Sequence, residues 1–435
     1  MSQLDQDIAS QDNPSQDNSS KDMVMILSSD CHAGTLPAGY NEYMPKKYHD
    51  QANAWWVQYT REMMSRVGTF FDQEAVEAYS EEAGEGAGGR MRAMSDPNFS
   101  PTDNDLLAML SDPSNPFAPR PGEWDASVRI KELDDDGVAG EIVFPQMAPF
   151  GAGLMQYRHD VTPELNLEGC RSYNRWLADF CNTHPKRMAG VALINVDDID
   201  VTVQEIRDAS AAGLWGGVLL PSSTGDHPFY HHPRYEPIWA VCEELGLPIQ
   251  SHSGWSPDYG DVPAATAMFI SEVDMWAQRP FTAMMWSGAF ERHPDLKYVM
   301  TEAGVGWIIE KLRVLEFKAA DPIFKHFTKD LSLGPTEYFQ RNCWIGASFL
   351  RPHEGKLRHD VGVDKLMWGS DYPHLEGTWP NTAKELNATF GNYPEEEIRG
   401  ILGGVAAEVY GFDVAELAPI VAEIGPSIAE IRGEA

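Results

Sequence analysis

Eight apolar segments of strand length recur along the chain, and segments of helix length separate most of them. Strands that alternate with helices are typical of parallel sheets, and eight such units are the number that closes a (β/α)8 barrel. We therefore predict an α/β fold, a distorted TIM barrel, with an open doubly wound sheet as the second interpretation. The predicted strands cover residues 23–32, 138–144, 187–195, 216–220, 247–252, 296–302, 343–349 and 365–371.

The barrel pattern does not cover the whole chain. Residues 1–22 are rich in Ser, Gln, Asp and Asn and offer little to a core, so we predict a disordered tail. Residues 23–410 form the predicted barrel, within which 33–123 are a mainly helical insertion after the first strand, expected to be a cap or lid. Residues 411–435 are expected to form a C-terminal arm. The predicted helices of the insertion cover residues 53–66 and 72–82.

Charge and composition limit the partners and the compartment. The formal net charge is −33, with 66 acidic residues against 33 basic ones, which repels nucleic acids and anionic membrane surfaces. No run of 18 apolar residues suggests a membrane span, and the N-terminal residues do not resemble a signal peptide. The five cysteines form no CxxC pair. We expect a cytoplasmic protein with a small-molecule substrate, no nucleic-acid or membrane partner, and an oligomeric state left open.

Polar residues of metal-binding type stand at the ends of four predicted strands. Carboxyl ends of barrel strands meet at one face, so these side chains are expected to converge there. Imidazole and carboxylate donors suit zinc, manganese or iron better than calcium or an iron–sulfur cluster. We predict one or two divalent ions, with zinc as the first expectation. The predicted ligands are Asp30, His32, His252, Glu302, Asp371 and His374.

Several motifs at these strand ends resemble those of the amidohydrolase superfamily, in the amidohydrolase-related branch that includes aminocarboxymuconate semialdehyde decarboxylase. The resemblance spans roughly residues 24–32 and 124–410, and it implies a distorted barrel whose divalent metal is held by Asp30, His32, His252 and Asp371. The motifs that carry it are Asp30-Cys31-His32, Leu247-Pro248-Ile249-Gln250-Ser251-His252, His293-Pro294-Asp295-Leu296-Lys297 and Trp368-Gly369-Ser370-Asp371-Tyr372-Pro373-His374.

Two positions depart from that branch. Asp30 stands where the branch commonly has the first histidine of His-x-His, which is conservative because carboxylates also bind zinc and manganese. Glu302 stands where strand six commonly ends in a histidine that assists proton transfer in the decarboxylases. Glu302 could bind a second metal together with His374, orient a ligand from outside the coordination shell, or pair with a neighbouring cation. His374 could equally pack beyond Pro373.

The function predicted from these residues is metal-dependent hydrolysis of an amide, lactone, thioester or activated carbon–carbon bond. A bound metal lowers the pKa of its water to about 7, and Asp371, with Glu302 beside it, is expected to move the proton. Trp255, Trp307 and Tyr372 are candidate pocket walls, with core packing as the alternative. Arg351 is the candidate partner for a substrate carboxylate, with a surface role as the alternative.

Two other functions remain as alternatives to hydrolysis. The first is non-oxidative decarboxylation of a small carboxylic acid, in which Asp371 would transfer the proton. The negative charge of Glu302 near a departing carboxylate argues against it unless that side chain is protonated or bound to metal. The second is a non-catalytic binding protein on a barrel scaffold, which would need no metal.

Overall fold

Eight short parallel strands lie side by side in chain order and form a nearly closed barrel. This confirms the predicted TIM-barrel class. The computed structural model describes residues 22–70, 77, 100–109, 111–112, 119–153, 161–260, 262–374 and 376–434. The strands are β1 Leu27–Ala33, β2 Gly140–Pro145, β3 Met188–Leu193, β4 Gly217–Leu219, β5 Ile249–His252, β6 Tyr298–Thr301, β7 Cys343–Ser348 and β8 Leu366–Gly369.

The first and last strands meet through the residues that follow β8. The Asp371 amide donates to the Asp30 carbonyl at 2.9 Å, and the His32 amide donates to the Tyr372 carbonyl at 2.6 Å. Beside them, the Cys31 sulfur lies 3.3 Å from the Ser370 hydroxyl, on the opposite side of β1 from Asp30 and His32. The first strand and the segment after the last strand therefore come together where the predicted ligands lie.

Helices follow most strands and cover the outside of the barrel. Polar residues cap several of them: Asp125 accepts from the amides of Ser127 and Val128, and Asp198 accepts from those of Asp200 and Val201. Among the described helices, none is both long and apolar enough to cross a membrane. The barrel helices are α4 Ala126–Asp135, α5 Pro163–Cys181, α6 Ile199–Ala211, α7 Glu236–Leu245, α8 Pro263–Ser287, α9 Ala289–Arg292, α10 Trp307–Ala320, α11 Pro335–Asn342, α12 Pro352–Gly355, α13 Arg358–Val361, α14 Thr382–Phe390, α15 Glu395–Arg399 and α16 Val405–Tyr410.

The segment between β1 and β2 contains three described helices, namely α1 His49–Phe70, α2 Asp103–Met109 and α3 Pro121–Trp124. Helix α1 contains the predicted helix at 53–66 and is longer than it. The predicted helix at 72–82 and the predicted tail at 1–22 lie outside the described residues, apart from residues 22 and 77. A role of this insertion as a cap stays a prediction.

The last part of the chain is helical and packs onto the start of β1. Helices α17 Val414–Ile424 and α18 Ile428–Arg432 follow the barrel. Between them the Pro426 carbonyl accepts from the Val24 amide at 2.8 Å, and Met23 forms an antiparallel bridge with Ser427. These contacts tie the end of the chain to the segment that leads into the first strand.

Candidate functional site: a carboxylate and histidine cluster at the strand ends

Residues from the ends of β1 and β5 form the centre of the site. Because side chains alternate along a strand, Asp30 and His32 project to the same side of β1. His252 ends β5 and brings its Nε2 to 3.2 Å from Asp30 Oδ1, while His32 Nε2 lies 3.4 Å from the same oxygen. All three side chains are at least 98% buried. Residues more than 200 positions apart in the chain thus share one small, buried space.

Asp371 and His374 join this group from the segment after β8. Asp371 Oδ1 lies 3.4 Å from His32 Nε2 and 2.8 Å from His374 Nδ1. The other nitrogen of His374 is 2.9 Å from Gln146 Oε1, a side chain that follows β2. His374 is partly exposed, whereas Asp371 is fully buried. His374 therefore connects the buried carboxylate to the more open rim of the site.

Glu302 reaches the cluster from the end of β6, at the back of His252. Its Oε2 accepts a hydrogen bond from Ser253 Oγ at 2.6 Å and lies 3.3 Å from His252 Nδ1. Burial raises the pKa of Glu302 to about 6, and the neighbouring charges of Asp371 and Asp30 act in the same direction, while that of His252 opposes them. This carboxylate is placed to hold the His252 ring as well as to approach the centre of the site.

Two of these residues have backbone conformations that are uncommon outside glycine. Glu302, directly after β6, has φ of 51°, and Asp371, two residues after β8, has φ of 56°. The left-handed region costs free energy for side chains with a Cβ, and residues held there cluster at functional sites. Hydrogen bonds from their amides to Gly346 and Asp30 keep both residues in place.

The hydrogen-bond pattern leaves ligand atoms facing the centre. His32 Nδ1 contacts the Pro145 carbonyl at 3.1 Å, and His252 Nδ1 contacts the Ser253 carbonyl at 2.9 Å. A carbonyl accepts only, so each Nδ1 carries a proton, and this bond fixes each ring with its Nε2 directed at the carboxylates in the centre. His32 Nε2 and Asp371 Oδ2 are buried without a hydrogen-bond partner. Asp30, His32, His252 and Glu302 offer ligand atoms within 4.8 Å of one another, so the donor set fits a divalent metal ion.

Without such an ion, the charges of the carboxylates and of the imidazoles compensate one another. Burial alone would raise the pKa of Asp30, but the charges and hydrogen bonds of His252 and His32 hold it well below its usual value. Burial opposes the charged form of His32 as well, yet Asp30 and Asp371 keep the pKa of His32 well above its usual range. The site is therefore built to hold positive charge among its carboxylates.

The residues predicted to contact the substrate lie in different parts of the structure. They are Trp255, Trp307, Arg351 and Tyr372. The Tyr372 ring packs over the Arg129 guanidinium at 4.1 Å and its hydroxyl donates to Glu132, both on α4, which matches the core-packing alternative. Trp307 Nε1 donates to the Gly304 carbonyl at 3.0 Å. Trp255, three residues after His252, meets the Trp276 ring edge-on at 5.1 Å.

Arg351, the predicted partner of a substrate carboxylate, already has protein partners. Its Nη2 donates to the Glu376 carbonyl at 3.1 Å, its Nη1 lies 3.7 Å from Glu385 Oε2, and its guanidinium lies 4.7 Å from the Phe349 ring. The first two contacts match a surface role more closely than an unpaired substrate anchor.

Several residues of the site were not identified from the sequence. Ser348, the last residue of β7, donates to Asp30 Oδ2, and Phe144 of β2 packs its ring 4.5 Å from that of His252. Glu376 offers a carboxylate within 4.8 Å of ligand atoms of Glu302, Asp371 and His374. Ser348, Phe144 and Gln146 lie at or directly after predicted strand ends, so position alone could have drawn attention to them.

Comparison with known proteins places this geometry in a family. The sequence profile described as Amidohydrolase matches residues 30–412, from the first predicted ligand to beyond α16. The chain belongs to the Amidohydrolase family. The resemblance drawn from the strand-end motifs is thereby confirmed.

Several proteins similar to this chain are decarboxylases. The chain is 24% identical over 303 residues to 2-amino-3-carboxymuconate-6-semialdehyde decarboxylase of Dictyostelium discoideum, covering 67% of this chain and 77% of that protein. It is 27% identical over 270 residues to gamma-resorcylate decarboxylase of Rhodococcus jostii, covering 57% and 76%. A dihydroxybenzoic acid decarboxylase from Polaromonas, solved with manganese and 2-nitroresorcinol, superposes with a TM-score of 0.55 at 15% identity, covering 91% and 99%.

These relatives correct the predicted reaction. Hydrolysis was favoured because Glu302 replaces a histidine, but the related proteins are carboxy-lyases, so the alternative of decarboxylation has the better support. The physical reason is that a buried metal set of imidazoles and carboxylates serves both chemistries. One substituted side chain beside that set does not distinguish them.

Proposed function

We propose that this protein is a metal-dependent, non-oxidative decarboxylase of a small aromatic carboxylic acid. The observation that carries the proposal is the set of inward-facing atoms at the strand ends, among them the unpartnered Nε2 of His32 and Oδ2 of Asp371. The activities named for the Dictyostelium and Rhodococcus relatives support the reaction class.

A single divalent ion is proposed, held by Asp30, His32, His252 and Asp371. Two imidazoles and two carboxylates suit manganese, zinc or iron, and manganese is the first candidate because the related Polaromonas enzyme was solved with it. When bound, the ion would supply positive charge to the substrate carboxylate and a neighbouring substrate oxygen. Glu302 and His374 are assigned to orientation and proton transfer instead.

The proton chemistry is assigned to Asp371. Decarboxylation replaces the carbon–carbon bond to the carboxylate with a carbon–hydrogen bond, so one proton must be delivered to the ring carbon as carbon dioxide leaves. Asp371 Oδ2 is buried and free of hydrogen bonds, and Oδ1 faces His374 at 2.8 Å. His374 reaches Gln146 at the rim, so it can resupply the proton from outside.

Glu302 is assigned a positioning role through His252. Metal-binding histidines commonly donate their second ring nitrogen to an oxygen acceptor, which fixes the ring and its tautomer. Here the Ser253 carbonyl and Glu302 Oε2 both lie close to His252 Nδ1. The objection that a negative Glu302 would repel a departing carboxylate is weaker in this arrangement, because Ser253 Oγ donates a hydrogen bond to Glu302 Oε2 and the His252 ring lies 3.3 Å from the same oxygen.

A flat, unsaturated substrate is consistent with the apolar side chains around the cluster. Phe144 contacts the rings of both His252 and His32, at 4.5 and 6.1 Å between centroids. On the β5 side, Trp255 and Trp276 pair edge-on. Aromatic rings bind other rings in offset or edge-on contacts.

The test is release of carbon dioxide by the metal-loaded protein. Purified protein would be loaded with Mn²⁺ or Zn²⁺ and assayed against a panel of hydroxybenzoic acids, with the ring product identified by mass spectrometry in deuterated water. One deuterium at the former carboxylate position is expected. Asp208→Asn, on the exposed face of α6, is the matched control and should retain full activity. No carbon dioxide from any aromatic acid in the panel would overturn the proposal.

A further inference from the structure

The two carboxylate oxygens of Asp30 have different partners. Oδ1 faces the imidazoles, with His252 Nε2 at 3.2 Å and His32 Nε2 at 3.4 Å. Oδ2 accepts a hydrogen bond from the hydroxyl of Ser348, the last residue of β7. Asp30 is fully buried and Ser348 is 8% exposed. Bulk water therefore has little access to this bond, and the Ser348 hydroxyl determines which way Oδ2 points.

The other three proposed metal ligands each have one further partner in the protein as well. His32 and His252 each contact a backbone carbonyl through Nδ1, at 3.1 and 2.9 Å. Asp371 has a histidine nitrogen 2.8 Å from its Oδ1. Partners of this kind orient metal ligands and are needed for full metal affinity. Ser348 supplies the corresponding bond for Asp30.

The glycine at the end of β8 makes room for this bond. Ser348 of β7 lies opposite Gly369 in the pairing of β7 with β8. On the other side of β8, the Asp371 amide donates to the Asp30 carbonyl at 2.9 Å. Ser348 and Asp30 therefore come from the two strands that flank β8, and their side chains meet across it. A Cβ at Gly369 would lie 2.7 Å from the Asp30 Cβ, too close unless Asp30 were displaced.

The backbone after β7 has the same uncommon conformation as the backbone after β6 and β8. Phe349, which directly follows Ser348, has φ of 41°, and Glu302 and Asp371 also have positive φ. The Phe349 amide donates to the Gly369 carbonyl at 2.7 Å, which fixes the chain directly after Ser348. Residues with a Cβ are held in this region at a cost in free energy, mostly at functional sites. The end of β7 thus shares this feature with the strand ends that carry Glu302 and Asp371.

From these observations we propose that Ser348 is a positioning residue of the metal site and acts through Asp30. A carboxylate can bind an ion through one oxygen or through both. The Ser348 hydroxyl holds Oδ2, so that Asp30 presents the single oxygen Oδ1 to the centre beside His32 and His252. This inference rests on the metal ion proposed above and does not depend on which reaction the ion supports.

The first experiment measures the Mn²⁺ affinity of the purified protein by competition with a chelator, in the absence of substrate. Ser348→Ala should bind Mn²⁺ about 10- to 100-fold more weakly than the wild type, because a partner that orients a metal ligand is lost. Ser348→Thr keeps the hydroxyl and should restore most of the affinity. Circular dichroism of each variant checks that the fold is retained.

Ser172→Ala is the matched control for this experiment. Ser172 is fully buried on α5, and its hydroxyl donates to a carboxylate oxygen of Glu168 at 3.3 Å. The substitution therefore removes the same kind of bond, from a serine to a carboxylate, at a position outside the cluster. Its Mn²⁺ affinity should equal that of the wild type.

The visible absorption of bound Co²⁺ separates positioning of Asp30 from a general loss of packing. The positions and intensities of these bands depend on which atoms surround the ion. In Ser348→Ala, Asp30 is free to offer both oxygens, so the bands should differ from those of the wild type and return in Ser348→Thr. Ser172→Ala should give the wild-type spectrum. A purely structural role of Ser348 would lower the melting temperature and leave the spectrum unchanged.

Gly369→Ala tests the same arrangement from β8. Its Cβ should displace Asp30 and weaken Mn²⁺ binding. Combined with Ser348→Ala, the loss of affinity should be smaller than the product of the two single losses, because both changes act on the same carboxylate. Losses that multiply fully would show that the two positions act independently and would contradict the proposal.

Two further outcomes distinguish failure of this inference from failure of the proposed function. Wild-type affinity and an unchanged Co²⁺ spectrum in Ser348→Ala would overturn the role of Ser348 and leave the proposed metal ion in place, as would an equal loss of affinity in Ser172→Ala. A wild-type protein that binds neither Mn²⁺ nor Co²⁺ would overturn the metal ion, and with it both this inference and the proposed function.

Discussion

Two buried charge clusters lie on opposite sides of β1, and they differ in how completely their hydrogen bonds are satisfied. In the first, Arg129 of α4 donates to both carboxylate oxygens of Glu141 and to the carbonyls of His32 and Gly122. Both side chains of this ion pair have no exposed surface. The Tyr372 ring covers the guanidinium at 4.1 Å. Every strong donor and acceptor in this cluster has a partner.

The second cluster, at the strand ends, is incomplete by comparison. His32 Nε2 and Asp371 Oδ2 are as deeply buried, yet they have no hydrogen-bond partner. Leaving a buried polar atom unsatisfied costs roughly 1–3 kcal/mol, more for charged groups. A complete cluster can be explained by the packing of α4 alone, whereas the incomplete one is explained by a ligand that the protein binds.

The largest effect is expected from Asp371→Asn at the incomplete cluster. Asparagine has nearly the same shape but cannot carry the catalytic proton, so kcat should fall about 10³-fold. Circular dichroism should change little, because the asparagine oxygen can keep the contact with His374 Nδ1 that Asp371 Oδ1 makes at 2.8 Å. Retention of wild-type turnover by this variant would remove Asp371 from the proposed proton transfer.

At the complete cluster, Glu141→Gln should affect stability rather than chemistry. Removing one charge of a buried pair leaves Arg129 uncompensated, which costs about 3–5 kcal/mol in urea unfolding. Metal bound per folded chain should be unchanged. Glu205→Gln is the matched control, since its partner Arg171 is one-third exposed, and it should cost less than about 1 kcal/mol. A stable Glu141→Gln protein with reduced metal content would reverse the assignment of the two clusters.

Glu302→Gln distinguishes orientation of His252 from direct metal binding. Loss of a carboxylate that orients a metal-bound histidine typically weakens metal affinity 10- to 100-fold. Chelator competition should show this loss, while elemental analysis at saturating metal gives one ion per chain in both proteins. Two ions in the wild type and one in Glu302→Gln would instead make Glu302 a ligand of a second metal.

Asp136 is intermediate between the two clusters in how far its hydrogen bonds and charge are satisfied. Its substitution should give the smallest effect. It accepts from Thr382 Oγ1 at 2.6 Å, forms no ion pair among the described residues, and burial raises its pKa from 3.8 to about 6. The folded protein therefore binds this proton more tightly than the unfolded chain. The resulting stabilisation is complete below about pH 3.8 and is lost as the pH rises through 6.

Asp136→Asn should remove that pH dependence. At pH 8 the variant should be more stable than the wild type by about 1 kcal/mol, and the difference should shrink towards pH 5. Thermal unfolding at both pH values measures it. A variant equally destabilised at pH 5 and pH 8 would show that Asp136 acts through its hydrogen bond to Thr382 alone.

The sequence determined the barrel because its signals are local. Strand-length apolar segments and the turns that end them recur at the right spacing, and parallel strands place their carboxyl ends at one face. Asp30, His32, His252, Glu302, Asp371 and His374 could therefore be grouped before any coordinate was known, and the structure does bring them together.

Tertiary structure alone decided what each of these groups touches. The bonds of Ser348 to Asp30 and of Gln146 to His374 join residues separated by more than 200 positions, and no local pattern encodes such a pairing. The same holds for Tyr372, which packs on α4. Periodicity along a chain fixes which way a side chain points from its strand or helix, but only the packed fold fixes what lies there.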